Sequence, residues 1–156
     1  MSDIETLRRI LSTYKRIGMV GLSANWYRPS NFAAKYLIDH GYTVIPVNPG
    51  YEEVLGQKCY PSLLDIPYPV EVVDIFQRYE KVPLLVDQAI EIGAKVVWMQ
   101  LGVVHEEAAE RARQAGLEVV MDRCMKIEYG RLFGGLNFMG VDTKIISSRR
   151  PTWVPY

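Results

Sequence analysis

Val70-Glu71-Val72-Val73 and, further on, Val96-Val97-Trp98-Met99 are almost continuously apolar. A strand with one face in water alternates apolar and polar residues, whereas a strand covered on both faces does not. Both stretches therefore read as strands of a buried sheet. Between them Val82, Leu85, Val86, Ala89 and Ile90 recur at helical spacing, and Gly93 closes the segment. Strand, helix, strand is the unit that joins parallel neighbours.

The same alternation extends along the chain in both directions. Upstream, Ile17 to Leu22 is an apolar run that ends in Gly21-Leu22-Ser23. A helix reads from about Ser30 to His40, with Phe32, Ala33, Tyr36 and Leu37 on its apolar side. Thr43 to Val47 is a second strand, closed by Asn48-Pro49-Gly50. Ser2-Asp3-Ile4-Glu5 has the form of a capping box before the stripe Ile4, Leu7, Leu11, Tyr14. Residues 51 to 69 read as a connection with one helical turn near Ser62 to Asp65. Downstream come a helix from Glu106 to Ala115, a fifth strand from Leu117 to Met121, and a short helix from Arg123 to Leu132.

Five such strands predict an α/β fold: a Rossmann-like, doubly wound, five-stranded parallel sheet in three αβα layers. The connection from Phe76 through the Val82 helix to Lys95 is long enough to carry the chain past the first strand. The expected strand order is 3-2-1-4-5, with the switch point between the first and fourth strands.

Composition sets the remaining bounds. A chain of 156 residues is one ordinary domain. With 49% hydrophobic and 23% charged residues it has the balance of a globular protein with a core. Lys plus Arg and Asp plus Glu are 18 each, so no basic excess points to nucleic acid. No apolar run approaches the roughly 18 residues that span a bilayer, and Met1 to Arg9 carries charge where a signal peptide is apolar. The two cysteines, Cys59 and Cys124, are too few for a disulfide framework, so a cytoplasmic protein with reduced thiols is expected.

In an open α/β sheet, ligands bind beyond the carboxyl ends of the strands. Here those ends are Gly21-Leu22-Ser23, Pro46-Val47-Asn48, Phe76-Gln77-Arg78, Gln100-Leu101-Gly102 and Asp122-Arg123-Cys124. The first leads into a helix N-terminus, which suits a phosphate. Gly21 permits close approach, Ser23 and Ser30 supply hydroxyls, and Arg28 supplies a planar fork. The same residues fit a tight turn, a helix cap and a solvated arginine equally well. Neither G-x-G-x-x-G nor G-x-x-x-x-G-K-[ST] occurs. The second strand ends in Asn48 rather than the acid of an NAD site. His40 and His105 lack the spacing of metal ligands, and Trp98 reads as core.

Taken in order, Val20-Gly21-Leu22-Ser23, Arg28-Pro29-Ser30, Pro46-Val47-Asn48-Pro49, Gly93 to Gly102 and Asp122-Arg123-Cys124 resemble the stand-alone CoA-binding domain proteins. These are similar to the N-terminal CoA-binding domain of the succinyl-CoA synthetase α subunit. The resemblance spans roughly residues 5 to 132. It implies a Rossmann-like domain, residues 1–132, that binds coenzyme A or an acyl-CoA. By position, Gly21, Leu22, Ser23, Arg28 and Ser30 form the phosphate loop. Pro46, Val47 and Asn48 line the adenosine. Phe76 packs on the adenine side, and Arg78 meets a phosphate. Met99, Gln100 and Gly102 border the pantetheine arm. The bound phosphates require a local basic cluster, for which Arg28, Arg78 and Arg123 are the candidates.

Two positions depart from the family pattern. Gln77 stands where an arginine often follows the phenylalanine, and Tyr129 follows Glu128 where a histidine is common. Residues 133–156 lie beyond the resemblance and are expected either to dock, a route to a homo-oligomer, or to be partly disordered.

The leading expectation is a CoA-binding module without catalysis of its own, since the chain has no room for the synthetase's other domains. Three readings compete with it. One is an enzyme acting on CoA or acyl-CoA thioesters through Cys124. Another is an NAD(P)-binding oxidoreductase, for which the acid and the glycines are missing. The last is an interaction scaffold whose pocket is vestigial.

Overall fold

The computed structural model describes residues 3–133. The elements in chain order begin with α1 (Ile4–Thr13), β1 (Arg16–Val20), α2 (Pro29–Asp39) and β2 (Thr43–Val47). A small hairpin follows, β3 (Glu53–Val54) and β4 (Gln57–Lys58), then a 3-10 turn at Leu63–Asp65 and β5 (Val72–Ile75). A second 3-10 turn, Tyr79–Lys81, leads into α3 (Val82–Glu91). The chain continues through β6 (Val96–Met99), α4 (Glu106–Gln114), β7 (Glu118–Val120) and α5 (Met125–Leu132).

β2, β1, β5, β6 and β7 lie side by side in that order and are all parallel. Successive side chains of a strand point to opposite faces, and the core divides accordingly. Val72, Val96 and Trp98 join Leu7, Leu11, Leu37 and Met125 on the face covered by α1, α2 and α5. Val73, Ile75, Val97 and Met99 join Val82, Val86, Ala89 and Ala112 on the face covered by α3 and α4. This is the three-layer, doubly wound α/β fold that the apolar runs imply.

The third long strand sits elsewhere than the expected order 3-2-1-4-5. Numbered among themselves, the sheet strands run 2-1-3-4-5: β5 pairs with β1, Ile17 opposite Val72 and Val20 opposite Ile75, rather than outside β2. Two features of the sequence require this. Val72, Val73 and Ile75 have no exposed surface, so β5 needs a neighbour on each side. Pro46, which has no N–H to donate, belongs at a sheet edge. Thr43 N–H bonds to Lys15 across the β1 side, while the Pro46 carbonyl accepts from Tyr60 on the outer side. The nitrogen of Pro46 thus faces the edge that no sheet strand occupies. The switch point lies between β1 and β5.

The helix ends have local causes. Asp3 caps α1, its carboxylate accepting from Thr6 N–H at 2.7 Å; the serine of the expected box lies outside the described residues. α2 starts one residue earlier than expected, with Pro29 in its first turn. His105 caps α4 through Nδ1, which accepts from Ala108 N–H at 3.1 Å. α5 ends at Leu132, and the tail expected from 133 onward lies, apart from Phe133, outside the described residues. Among the described residues no helix is long and apolar enough to cross a membrane.

Candidate functional site

The loop after β1 is bound to its surroundings by side chains. Gly21 adopts φ +88°, and a Cβ there would meet the Phe76 carbonyl oxygen at 2.2 Å. Glycine therefore lets the ends of β1 and β5 come together at the switch point. Ser30 Oγ accepts from Ser23 N–H at 3.0 Å, and Asn31 Nδ2 donates to Ser23 O at 2.9 Å. Asn48 Nδ2 donates to Leu22 O at 3.2 Å while its Oδ1 accepts from Gly50 N–H at 2.9 Å. Leu22 is fully buried. Each of these polar side chains spends at least one bond on the loop itself, and Ser23 Oγ accepts from Asn25 N–H at 3.1 Å.

Beside this loop a cavity of about 1160 Å³ opens at the carboxyl edge of β5 and β6. Phe32 and Ala33 of α2 form one wall, and Cys124 and Ile127 at the start of α5 form another. Phe76, Gln77 and Gln100 come from the strand ends between them. Arg78 and Lys126 supply two cations to the lining. Arg28 stands between Tyr27 and Pro29, both of which line the cavity. No ion pair among the described residues involves Arg28, Arg78 or Lys126.

The sequence-derived residues divide into three groups. Phe76, Arg78 and Gln100 line the cavity. Gly21, Ser23, Arg28 and Ser30 form the adjoining loop and helix start. The remainder offer little side chain to a ligand there. Pro46 and Val47 are buried in β2, Asn48 is engaged as described, and Met99 is fully buried on the opposite face with α3 and α4. Gly102 is exposed, and its N–H is held by Asp122 Oδ1 at 2.7 Å. Arg123 was a candidate for the basic cluster, but it is 4% exposed and its Nη1 donates to the Asp122 carbonyl. Its own carbonyl accepts from the Trp98 indole at 2.8 Å, which locks the turn before α5. Lys126 occupies the wall instead.

Several residues at the cavity lie outside the binding set expected from the sequence. Tyr27 and Lys126 carried no spacing signal. Phe32 falls on the apolar side of its helix by periodicity, yet it is half exposed toward the cavity. Asp74 did carry a signal, an acid inside an apolar strand. It has no exposed surface, and burial pushes its carboxyl up to about 8, against a lowering hydrogen bond from Gln100. Burial likewise raises the Cys124 thiol, more than its helix-start hydrogen bonds lower it. A thiol so placed is mostly protonated and a poor nucleophile. Among the described residues no cluster of three or more His, Cys, Asp or Glu is placed to hold a metal ion.

The chain is similar to known proteins in sequence and in fold. The sequence profile of a family described as a CoA binding domain matches residues 15–130. An uncharacterized protein of Bacillus subtilis (strain 168), YneT, is 40% identical over 123 residues, which cover 79% of this chain and 91% of that protein. The ADP-forming acetate–CoA ligase I of Archaeoglobus fulgidus is 30% identical over 121 residues, covering 71% of this chain but 18% of the ligase. Among solved structures, a hypothetical protein from Pyrococcus horikoshii OT3 superposes with a TM-score of 0.83 at 51% identity, covering 85% of this chain and 94% of that one.

Proposed function

The chain belongs to the CoA-binding domain family, and we propose that it binds coenzyme A, free or acylated, along the carboxyl edge of the sheet. The observation that carries this reading is the unneutralised charge beside an apolar cavity. Arg78 and Lys126 line the cavity and Arg28 adjoins it, with no ion partner among the described residues. Coenzyme A matches that pattern: it is anionic at its pyrophosphate and 3′-phosphate end and carries a long neutral arm. A cavity of about 1160 Å³ lies somewhat above the roughly 300–1,000 Å³ usual for small-molecule sites, in keeping with a large ligand.

In this reading Gly21, Ser23, Ser30 and Arg28 hold the phosphates at the start of α2, where the helix dipole favours negative charge. The adenosine lies by the end of β2 at Asn48, with Phe76 and Arg78 beside it; the buried Pro46 and Val47 give it no side chain. The arm enters the cavity toward Gln100. Met99 and Gly102 lie at that end of the sheet, with the Met99 carbonyl and the Gly102 N–H already engaged by Arg123 N–H and Asp122 Oδ1. The protein acts as a binding module, with no group assigned to catalysis.

Calorimetric titration of ligand-stripped protein with CoA, dephospho-CoA and NAD tests the reading. The expected result is micromolar or tighter binding of CoA, weaker binding of dephospho-CoA, and a loss of about tenfold on Arg28→Ala. Binding of NAD without CoA would overturn it.

The position of Cys124 on the cavity wall favours one second reading, an enzyme acting on acyl-CoA thioesters. Turnover of an acyl-CoA that vanishes in Cys124→Ser would establish it. The raised thiol weighs against it.

A further inference from the structure

Asp74 lies inside β5, opposite Met19 of β1 and Trp98 of β6, on the face that α5 covers. A buried carboxyl is costly unless each oxygen finds a partner. Here only Oδ1 has one: Gln100 donates Nε2 to it, while Oδ2 is buried and unpartnered. Nothing in the core needs an acid at this position, since the strand neighbours on this face are apolar.

Gln100 is 3% exposed, and the surface it retains faces the cavity. An amide side chain has a donor end and an acceptor end that are nearly equal in shape. Which end faces a ligand decides what the site can read. Asp74 Oδ1 accepts from Nε2 when the acid is ionised, and equally when it is neutral with its proton on the unpartnered Oδ2. The Oε1 end is left for the cavity.

We propose that Asp74 is a positioning residue that fixes the Gln100 amide with its carbonyl oxygen toward the cavity, so that this end of the site reads a hydrogen-bond donor, an amide N–H of the coenzyme A arm. The proposal rests on the coenzyme A reading. It adds a polarity to the cavity: an arm that presents N–H is accepted, and one that presents only acceptors is not.

The test compares CoA with adenosine 3′,5′-bisphosphate, which keeps the phosphates and lacks the arm. Four variants are titrated: Asp74→Leu, Asp74→Asn, Gln100→Leu, and the double variant Asp74→Leu with Gln100→Leu. Asp74→Leu and Gln100→Leu are each expected to weaken CoA about tenfold, the loss of one well-placed hydrogen bond. Asp74→Asn keeps an acceptor and is expected to stay within about twofold of wild type. The double variant is expected to be no worse than Gln100→Leu, because one residue acts through the other. Adenosine 3′,5′-bisphosphate is expected to bind all of them alike.

Additive losses, a parallel loss of the bisphosphate, or full CoA affinity in Asp74→Leu would each overturn the proposal. Should Asp74→Leu not fold, Asp74→Val removes the same acceptor and suits a strand. Wild type that binds the bisphosphate but gains nothing from the arm refutes this inference alone. Wild type that binds neither ligand refutes the coenzyme A reading, and this inference with it.

Discussion

Gly21 concentrates two constraints in one residue. Its φ of +88° is one that side chains rarely adopt, and the Phe76 carbonyl fills the space a Cβ would take. Gly21→Ala is expected to cost about 3 kcal/mol or more, seen as a lower urea midpoint with an unchanged slope. Asp74 makes a different prediction. Its folded carboxyl titrates near 8 against an ordinary 3.8, because burial penalises the charged form. The folded state therefore keeps a proton that the unfolded chain releases from about pH 4 upward. This contribution is complete below pH 4 and is lost as pH rises toward 8, by at most about 1.4 kcal/mol per pH unit. Cys124, the titratable neighbour, adds its own limb only above its ordinary value of 9.0. Denaturation midpoints measured from pH 4 to 8 should fall in wild type and stay nearly level in Asp74→Asn. At this scale the sequence marked Gly21 as a tight turn or a close approach, and the structure shows both, the approach being that of the Phe76 carbonyl. The sequence could not reveal which way Gln100 points, because that depends on a strand distant in sequence.

Elements were legible where periodicity is long. The stripe of α3 and the apolar runs of β1 and β2 appear where the sequence places them, with ends shifted by a residue or two as fraying and capping decide. The β3–β4 hairpin was not legible. Strands of two residues carry no period, and Glu53, Gln57 and Lys58 are exposed. Its role is nonetheless structural: Tyr60, just after it, exchanges backbone hydrogen bonds with Pro46 and Asn48 along the outer edge of β2. That contact covers part of an edge that would otherwise invite a partner strand. Ser30 read equally well as a cap and as a ligand group; in the structure its oxygen accepts from Ser23, and Arg28 precedes the helix.

For the whole molecule, the sequence specified layers and parallel strands but misplaced one strand. Crossover length sets how far a chain can travel, not the direction it takes. Pro46 and the fully apolar β5 held the missing information, the first as a mark of an edge and the second as a mark of the interior. Charge behaves similarly. The total is zero, with 18 residues of each sign, so long-range steering of an anion is weak. The cations at the cavity act locally and are partly exposed. CoA affinity is therefore expected to fall several-fold between about 0.05 and 0.5 M salt as screening tightens, measured by repeating the titration across that range. The stapled loop after β1 has one more consequence. Ser30, Asn31 and Asn48 hold the backbone of Leu22 and Ser23 from two directions without any ligand. The freedom of those two residues is surrendered during folding rather than at an encounter. There the site is a mould and not a lid: a molecule arriving at the start of the loop conforms to it.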